Sequence, residues 1–473
     1  MAVKTLRLFG IGQQSKSPNL TAQKRINIYY DVQADDDRVK ISAFGTPGTT
    51  FAAVVSGSVT RGIHWFETAN TLYVVQRGDL YAVANNYVAT LKRSLTTTNP
   101  TDIAGFCSMA NNGFQLCIVT GAFGYIYNYL TNTLTNITAS LPAGGADTVT
   151  FLDGFFIVNR SGTSEFYKSA LYDGLTWNGL DFDNASTSPD NVVAVMASEG
   201  FLSVWGTSSR ETWANAGTAG FPFSYVQGSG GQTGLQARWS LAIANGLQTG
   251  LVRNKQGALA IGQLDGYSLQ PISTSDIDYL INNYAVTEDA VAFGYSLNGR
   301  AFYQITFPTE SKSWLYDFIS GAWSQLITTG LTKHFALLGA AFNTDFVIAG
   351  FENGNLYKLD ADAITDNGIP IEREIQMNHV FNNDMKNVII NRIRIGLENG
   401  TGTAQLGLFI SRDYGHTFGM PLYKDLGNIG QYKRYAEWRA LGQGRDWVMK
   451  LRTVDPIKFI LTDAIMTYKV ADR

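Results

Sequence analysis

Cysteine is scarce in this chain of 473 residues, which contains two, Cys107 and Cys117. Two cysteines are too few for a disulfide-stapled scaffold, and both fall within one predicted repeat unit. We expect reduced, buried thiols, because free Cys is among the most buried residue types. Long hydrophobic runs are also lacking: no stretch approaches the roughly 18 apolar residues of a membrane span, and the N-terminus has no small-residue cleavage site. We therefore expect a soluble protein made in the cytosol, without stable membrane insertion.

Charge is low as well, at 16% of residues with a formal net charge of −3. This near-neutral balance does not favour nucleic-acid affinity for the chain as a whole. Glycine is abundant at 48 residues, and Phe, Tyr and Trp together make 12%. That profile is typical of an all-β protein with many turns and large aromatic contacts, and it argues against disorder.

A repeated hairpin organises the chain. Thr71–Val83 has β-branched and aromatic residues on both sides of a turn at Gly78, which predicts two short paired strands. The same unit returns near the other end, where Gly354–Tyr357 (Gly-Asn-Leu-Tyr) matches Gly78–Tyr81 (Gly-Asp-Leu-Tyr). Seven anchor residues, taken to mark the inner strands, follow at intervals of 40 to 57: Leu72, Leu116, Phe156, Leu202, Leu259, Phe302 and Val347. A period near 45 with several strands per unit predicts propeller blades rather than helical solenoids.

A second internal match supports the blades. Leu171–Trp177 resembles Leu315–Trp323: an apolar strand ends in Tyr-Asp, turns at Gly and resumes at Trp, as in Kelch-type blades. We expect both Trp side chains to pack between blades rather than to bind a ligand. The longest interval contains the Gly-rich stretch Gln227–Gly234, predicted as a long exposed loop. Because the first and last units are atypical, the sequence indicates six or seven blades without deciding between them.

Three regions are predicted: an extended N-terminal segment with short strands (residues 1–57), a β-propeller (58–365) and a C-terminal β-sandwich-like domain (366–473). In the first, strands are expected over Lys24–Tyr30 and Arg38–Phe44, with the acidic run Asp35–Asp37 at a solvated loop tip. Thr365–Pro370 reads as a turn-rich linker. Beyond it, stretches such as Arg392–Leu397 alternate apolar and charged residues, which predicts antiparallel strands with one buried face.

No constellation in the sequence predicts catalysis, a cofactor or a metal. The four histidines, His64, His334, His379 and His416, have no metal or nucleophile spacing. The carboxylate pairs Asp181/Asp183 and Asp276/Asp278 would each share one face of a strand, but polar loop content explains them more simply. Ser411–Phe418 resembles the Asp-box of sialidases and related propellers, in which the Asp accepts hydrogen bonds from turn amides. We interpret it as a turn stabiliser.

The most basic region is Lys424–Arg452, where arginines and lysines are interleaved with acids and with Trp438 and Trp447. Aromatic and Arg enrichment with mixed charge is typical of protein–protein interfaces. Single-stranded nucleic-acid binding uses the same residue types, but the acids would weaken attraction to phosphates. We therefore predict a protein interface here.

Several short motifs, spread over nearly the whole chain, resemble one known family: the packaged-DNA stabilisation, or tail hub and nozzle, proteins of P22-type short-tailed bacteriophages. They are Gln23–Tyr29, Gly45–Gly48, Arg61–Gly62, the Leu72–Tyr81 hairpin, Leu408–Gly415 and Tyr435–Gly442.

The resemblance implies a structural virion protein that is not an enzyme. It would form a ring with itself, a hexamer in this family, below the portal and its adaptor. The ring would extend the DNA channel and retain packaged DNA until ejection. The implied partners are the portal-side adaptor or head-completion protein and other tail proteins (needle, fibre or spike), with transient non-specific contact to genomic DNA. Its location would be the virion tail, after synthesis in the bacterial host cytoplasm. The alternatives are a sialidase-like carbohydrate-active propeller enzyme and a non-viral protein-binding propeller scaffold.

Truncation of Leu202 or Phe302 to Ala is expected to destabilise the protein by about 2–5 kcal/mol, because each anchor should fill a blade core. Denaturant unfolding measures this free energy. A chain in which helices or a parallel sheet occupied these positions would contradict the propeller on which the expectation rests.

Overall fold

The computed structural model describes residues 2–5, 13, 16–17, 19, 21–35, 38–351, 353–382, 386–398, 402–431 and 434–471. Within these ranges the chain is built almost entirely of antiparallel strands, with one α-helix, Ser275–Asn282 (α1). The all-β prediction is confirmed.

Five strands precede the first blade. They are β1 (Ala2–Thr5), β2 (Lys24–Ile26), β3 (Ile28–Asp35), β4 (Arg38–Gly45) and β5 (Gly48–Val54). The predicted strand over Lys24–Tyr30 is thus divided at Asn27, whose φ of 54° lies in the left-handed region. Asp36 and Asp37 of the predicted acidic loop tip lie outside the described residues.

The first three blades are four-stranded antiparallel sheets in simple up-and-down order. Blade 1 contains β6 (Thr60–Phe66), β7 (Thr71–Gln76), β8 (Asp79–Val83) and β9 (Ala89–Ser94). Blade 2 contains β10 (Ser108–Asn111), β11 (Gln115–Val119), β12 (Gly124–Asn128) and β13 (Thr133–Asn136). Blade 3 contains β14 (Ala146–Leu152), β15 (Phe155–Arg160), β16 (Glu165–Ala170) and β17 (Asp173–Asn184).

Four more blades follow. Blade 4 contains β18 (Val192–Ser198), β19 (Phe201–Gly206), β20 (Arg210–Asn215) and β21 (Phe223–Tyr225). Blade 5 contains β22 (Thr233–Leu235), β23 (Ala242–Ala244), β24 (Leu247–Asn254), β25 (Leu259–Asp265) and β26 (Ser268–Pro271). Blade 6 contains β27 (Val291–Leu297), β28 (Arg300–Phe307), β29 (Lys312–Asp317) and β30 (Ala322–Leu326). Blade 7 contains β31 (Ala336–Phe342), β32 (Asp345–Gly350), β33 (Asn355–Asp360) and, as its outer strand, β5.

Seven blades therefore form the propeller, which resolves the open choice between six and seven. Neighbouring blades contact one another around the ring, mostly through their first strands, including β31 of blade 7 with β6 of blade 1; blades 4 and 5 meet through β19 and β22. Seven buried apolar clusters lie in the described part of the propeller, one between each pair of adjacent blades. Burial between sheets thus supplies the continuous core that a single hairpin lacks.

The anchors lie one strand further out than expected. The first strand of each blade lines the centre, whereas the anchors lie on the second strand, and Leu259 on β25. The expectation that they mark the inner strands is wrong, because second strands are covered on both faces and so carry the strongest apolar runs. Of the seven, all but Leu259 are buried.

Two other local predictions need correction. Gln227–Gly234 is not simply an exposed loop: Ser229 is buried against Thr212, and Gly234 lies in β22. In the Kelch-like match, Leu315–Asp317 does end β29, but Tyr172 occupies a turn with a φ of 54°. Trp323 is fully buried between blades 5 and 6, and Trp177 packs partly buried against the cluster between blades 2 and 3.

A β-sandwich follows the propeller. Between the two, β34 (Thr365–Asp366) and β35 (Ile369–Pro370) extend the blade 7 sheet beyond β5. The later strands of the sandwich are β36 (Arg373–Gln376), β37 (Val380–Phe381), β38 (Val388–Leu397), β39 (Gln405–Ser411), β40 (Leu422–Asp425), β41 (Tyr435–Gly444), β42 (Asp446–Thr453) and β43 (Ile460–Val470). One sheet has the order β3-β4-β43-β38-β41, with β1 on β43; the other runs β2-β36-β42-β39-β40, with β37 on β42. The predicted alternation is present, since Ile393, Ile395 and Leu397 are all buried.

Both ends of the chain build the sandwich, which the local sequence pattern does not reveal. β1 to β4 belong to its sheets, while β5, only a few residues later, completes blade 7. The predicted linker is itself a small hairpin, β34–β35, and Asp366 pairs with Thr49 of β5. The predicted region boundaries at residues 57/58 and 365/366 stay predictions.

β2 connects the two parts. It pairs with the outer strand of blade 6, β30, on one side and with β36 of the sandwich on the other, which makes one sheet of both. We call this contact the joint. At its end, Asn27 Nδ2 donates to Ile327 O (2.9 Å) and Glu372 O (2.8 Å), and its Oδ1 accepts from Ile327 N (3.0 Å). One buried amide therefore bonds to both the propeller and the sandwich.

Replacing Asn27 by Ala should lower the free energy of unfolding by about 3 kcal/mol, because it leaves buried backbone groups unpaired as well as straining a left-handed residue. The matched control is Asn70→Ala, since Asn70 has a similar φ of 48° but an exposed side chain. Denaturant unfolding of both variants measures the difference. Equal losses would show that only backbone strain matters at Asn27.

Candidate functional site: the propeller channel, the joint and the sandwich edge

The inner strands of blades 1 to 5 enclose a small, largely uncharged cavity, which we call the propeller channel. It has a volume of about 530 Å³ and is lined by inner-strand side chains such as His64, Met109, Thr150, Met196 and Ile243. The cationic lining residue, Arg238, is ion-paired with Asp147. Burial lowers the pKa of His64 to about 4, and its Nε2 lies 2.9 Å from Asn111 Nδ2, so this imidazole is neutral at physiological pH.

Three aromatic rings meet at one mouth of the channel. The Phe106 ring centroid lies 5.6 Å from that of Trp239 and 6.2 Å from that of Phe351. These residues come from the segment before β10 in blade 2, from the short 3₁₀ turn Arg238–Ser240 in blade 5, and from the end of β32 in blade 7. No two of these three blades are adjacent in the ring, so the contacts between the aromatic side chains span the propeller axis. We call this group the aromatic plug.

Buried arginines hold the joint. Arg25 Nε and Nη2 both donate to Trp323 O, at 3.0 and 2.7 Å. Arg300 Nη1 donates to Asp31 of β3 (2.8 Å), and its Nη2 donates to Asp317 of blade 6 (2.7 Å). The Arg300 guanidinium also lies 5.1 Å from the ring centroid of Tyr29. Charge-assisted bonds in a partly water-excluded contact fix how the sandwich sits on blade 6.

A third arginine explains the Arg61–Gly62 motif. Arg61 is buried and forms a 2.6 Å ion pair with Asp102, while its other donors bond to the carbonyls of Gly105, Arg77, Asp102 and Ala104. It thereby fixes the connection from blade 1 to blade 2. A Cβ on Gly62 would lie 2.8 Å from Met109 Cε, so close packing favours glycine there.

The histidines do not form one site. His64 lies in blade 1, and His334 is buried before blade 7, where burial lowers its pKa to about 4. His379 Nδ1 lies 2.8 Å from Asp446 Oδ1 in the sandwich, and His416 is exposed. No group of three or more His, Cys, Asp or Glu side chains in the described ranges could hold a metal ion.

The two carboxylates of each predicted pair do not act together. Asp181 pairs with Lys168 at 2.7 Å, and Asp183 accepts the amide N–H of Asn184. Asp276 and Asp278 were predicted to share one face of a strand, but they lie on α1. Residues two apart on a helix point in different directions. Both cysteines are free and buried, and burial raises their thiol pKa, that of Cys107 to about 12.

The Asp-box is a turn stabiliser, as interpreted. Asp413 accepts hydrogen bonds from the Ser411 hydroxyl (2.6 Å), the Thr417 amide (2.9 Å) and the Thr417 hydroxyl (2.6 Å). These bonds hold the pKa of Asp413 well below its usual range. Gly415 has a φ of 86°, the left-handed conformation that this turn requires.

The basic region contributes to a surface, but its tryptophans do not. Trp438 and Trp447 are buried in the sandwich core, where their indole N–H groups donate to Leu422 O (2.7 Å) and Val388 O (3.3 Å). The prediction that these two residues belong to an interface is wrong. Aromatic residues of the same types fill both protein cores and interfaces, so residue type alone did not distinguish the two. The exposed large apolar residues in and just before this region are Met420, Leu422, Tyr423, Ile429 and Tyr435.

The structure thus defines a class: a seven-bladed β-propeller closed by an N-terminal strand and joined through a shared sheet to a β-sandwich. The chain belongs to the family described as bacteriophage P22 Gp10. The description "beta-propeller" applies to the match over residues 7–364, and "beta-sandwich" to the match over residues 373–469. The protein is therefore a structural protein of a phage tail, and the resemblance seen in the sequence is confirmed.

Other comparisons are weak. No protein with a curated description matches the sequence. A chain of the mitotic checkpoint complex is 10% identical, with a TM-score of 0.44, and the match covers 70% of this chain and 96% of that one. Virginiamycin B lyase from Staphylococcus aureus is 8% identical, with a TM-score of 0.45, and the match covers 64% and 96% of the two chains. Within the described residues, no helix is long and apolar enough to cross a membrane.

The contact between β34 and β5 should make stability depend on pH through Asp366. Burial, opposed by the Thr49 hydroxyl and Arg373, raises the pKa of this carboxyl from 3.8 to about 6. Because the folded-state pKa is the higher one, the stabilisation is full below about pH 4 and is lost as pH rises through 6. Asp366→Asn should remove this loss, so that the change in unfolding free energy between pH 4 and 7 differs from wild type by about 2–3 kcal/mol.

The matched control is Asp413→Asn. The pKa of Asp413 is lowered rather than raised, so its stabilisation is lost only below its unfolded pKa near 4 and the window from pH 4 to 7 should be unchanged. Denaturant unfolding across this window measures both variants. Parallel curves for Asp366→Asn and wild type would refute the assignment.

Proposed function

We propose that this protein forms the tail hub, or nozzle, ring below the portal–adaptor complex of a short-tailed phage. In that position it extends the DNA channel and retains packaged DNA until ejection, without catalysing a reaction. The observation that carries the proposal is the match of the phage family along residues 7–364 and 373–469, in the same propeller–sandwich order as the fold.

In this proposal DNA passes through the centre of a ring of subunits, not through the propeller itself. A cavity of about 530 Å³ has the size of a small-molecule pocket, not of a passage for a duplex. The aromatic plug narrows one mouth further. We expect a near-neutral or acidic ring lumen, because a basic wall would hold passing DNA through its phosphates. A formal net charge of −3 is compatible with transient, non-specific contact.

Rigid subunits suit a ring that must resist the pressure of packaged DNA. The sheet shared by blade 6 and the sandwich, with Arg25, Asn27 and Arg300 across it, limits movement between the two parts. The proposed partners are copies of itself, with six as the number implied by the family resemblance, the portal-side adaptor and the needle, fibre or spike proteins. Synthesis in the host cytoplasm belongs to the same proposal.

Particles assembled without this protein should fill with DNA and then lose it, because the channel would end below the adaptor without its retaining ring. Quantifying DNA per head over time, with electron microscopy of the tails, tests this. Restoring the wild-type chain should restore retention, which controls for damage to the heads. Particles that keep their genome and carry a complete tail without this protein would refute the proposal.

A further inference from the structure

Two exposed apolar patches lie far from the joint. The first, the blade 3 rim, consists of Leu171, Tyr172, Leu175 and Leu180 on and beside β17. Leu180 is 83% exposed and Tyr172 is 54% exposed. β17 is the outermost strand of blade 3 and, at 12 residues, the longest strand of the propeller. Large exposed apolar residues on an edge strand mark a contact surface.

The second patch, the sandwich edge, lies where β40 and β41 end their sheets. It consists of Met420 (89% exposed), Leu422, Tyr423, Ile429 (76%) and Tyr435 (61%). All four residues of β40 are exposed. The two strands are adjacent, since Trp438 of β41 donates to Leu422 O of β40. The edges of both sandwich sheets are therefore open at one place.

The strand order separates the two patches. The sheet order β30-β2-β36-β42-β39-β40 places β40 five strands beyond blade 6, which is roughly 24 Å at the usual strand spacing. Blades 3 and 6 are three positions apart in a ring of seven, the greatest separation that such a ring allows. Patches separated in this way suit a head-to-tail contact, and repeating that contact closes a ring when the rotation allows.

Their charges are complementary. β16 and β17 carry Glu165, Asp173, Asp181 and Asp183 against a single Lys168. The described residues between 420 and 445 carry four Lys or Arg and two Asp or Glu. Opposite charge around apolar patches favours association of the two surfaces and disfavours contact of either surface with itself.

We propose that the blade 3 rim of one copy binds the sandwich edge of the next copy, and that this contact builds the ring. The inference rests on the proposed function, which supplies the ring but not the surfaces. The occupant of each patch is thus a second copy of this chain. Apolar contact supplies affinity, and the charges select head-to-tail over self-pairing.

Charge reversal in two separate variants tests the pairing. The edge variant, Lys424→Glu with Arg439→Glu, makes the sandwich edge acidic; Arg394 still binds Glu437 at 2.7 Å, so that ion pair is retained. The rim variant, Asp173→Lys with Asp183→Lys, makes the blade 3 rim basic and keeps its apolar residues. A matched control for the rim variant, Glu67→Lys with Asp265→Lys, reverses two exposed carboxylates on other blades. Thermal unfolding confirms that each variant folds.

Ring formation by the full-length chain is followed by sedimentation velocity and mass photometry. Each variant alone should need at least a tenfold higher concentration to assemble, whereas the control should behave as wild type. A 1:1 mixture should assemble again, because each acidic surface then meets a basic one, and all four changes in one chain should also restore assembly.

The outcomes distinguish the assignment of the contact surfaces from the existence of the ring. A wild-type ring that both variants still form at wild-type concentration would overturn the assignment of surfaces and leave the ring intact. Loss of assembly without recovery in the mixture or in the combined chain would also overturn the assignment. A wild-type chain that forms no closed ring, alone or with its adaptor, would overturn both.

Discussion

The relation between the two parts of this protein depends on β2 and the left-handed residue that ends it. The backbone bends at Asn27 in the left-handed conformation. The short strand that precedes it pairs with blade 6 and with the sandwich, and the side-chain amide of Asn27 bonds to carbonyls of both. The chain then runs through two sandwich strands before β5 closes blade 7. Blades 6 and 7 are therefore both fastened by the same N-terminal segment. Closure of the propeller and formation of the sandwich become coupled, because neither is complete without residues that lie hundreds of positions away in sequence.

Buried arginines serve as connectors in this architecture more than as members of isolated ion pairs. Arg25 and Arg61 donate mainly to backbone carbonyls, and Arg300 bridges two carboxylates that belong to different parts of the fold. A guanidinium offers five donors in a fixed plane, so it can satisfy several irregular carbonyls at a junction where no regular ladder exists. Burying such a charge has a desolvation cost, and the gain is geometric specificity at the connection.

Local pattern in the sequence sufficed for the propeller, because each blade is built from neighbouring strands and repeats with a regular period. The local pattern could not predict the long-range strand pairings. No residue near β2 or β5 indicates that β2 pairs with β30 and β36 and that β5 pairs with β33. Short motifs did carry indirect information, since Gln23–Tyr29 and Gly45–Gly48 both lie at or beside the joint. A Cβ on Gly45 would collide with Arg373, and one on Gly48 with Thr365 O. The assignment of Trp438 to an interface failed because composition cannot distinguish a buried aromatic residue from an exposed one, and the aromatic plug was missed because its members come from three distant connections.

A propeller with a plugged axis has its free surfaces on the outside. The inner strands are committed to packing around a small neutral cavity, and the joint occupies the outer strand of blade 6. What is left is the perimeter opposite the joint and the open edge of the sandwich, where the exposed Leu, Met and Tyr side chains concentrate. Under the proposed head-to-tail contact, the same rigid connection that fixes the sandwich on blade 6 also fixes the angle between successive subunits. The number of copies that close the ring would then be set at the joint, through Asn27 and Arg300, rather than by the contact surfaces alone.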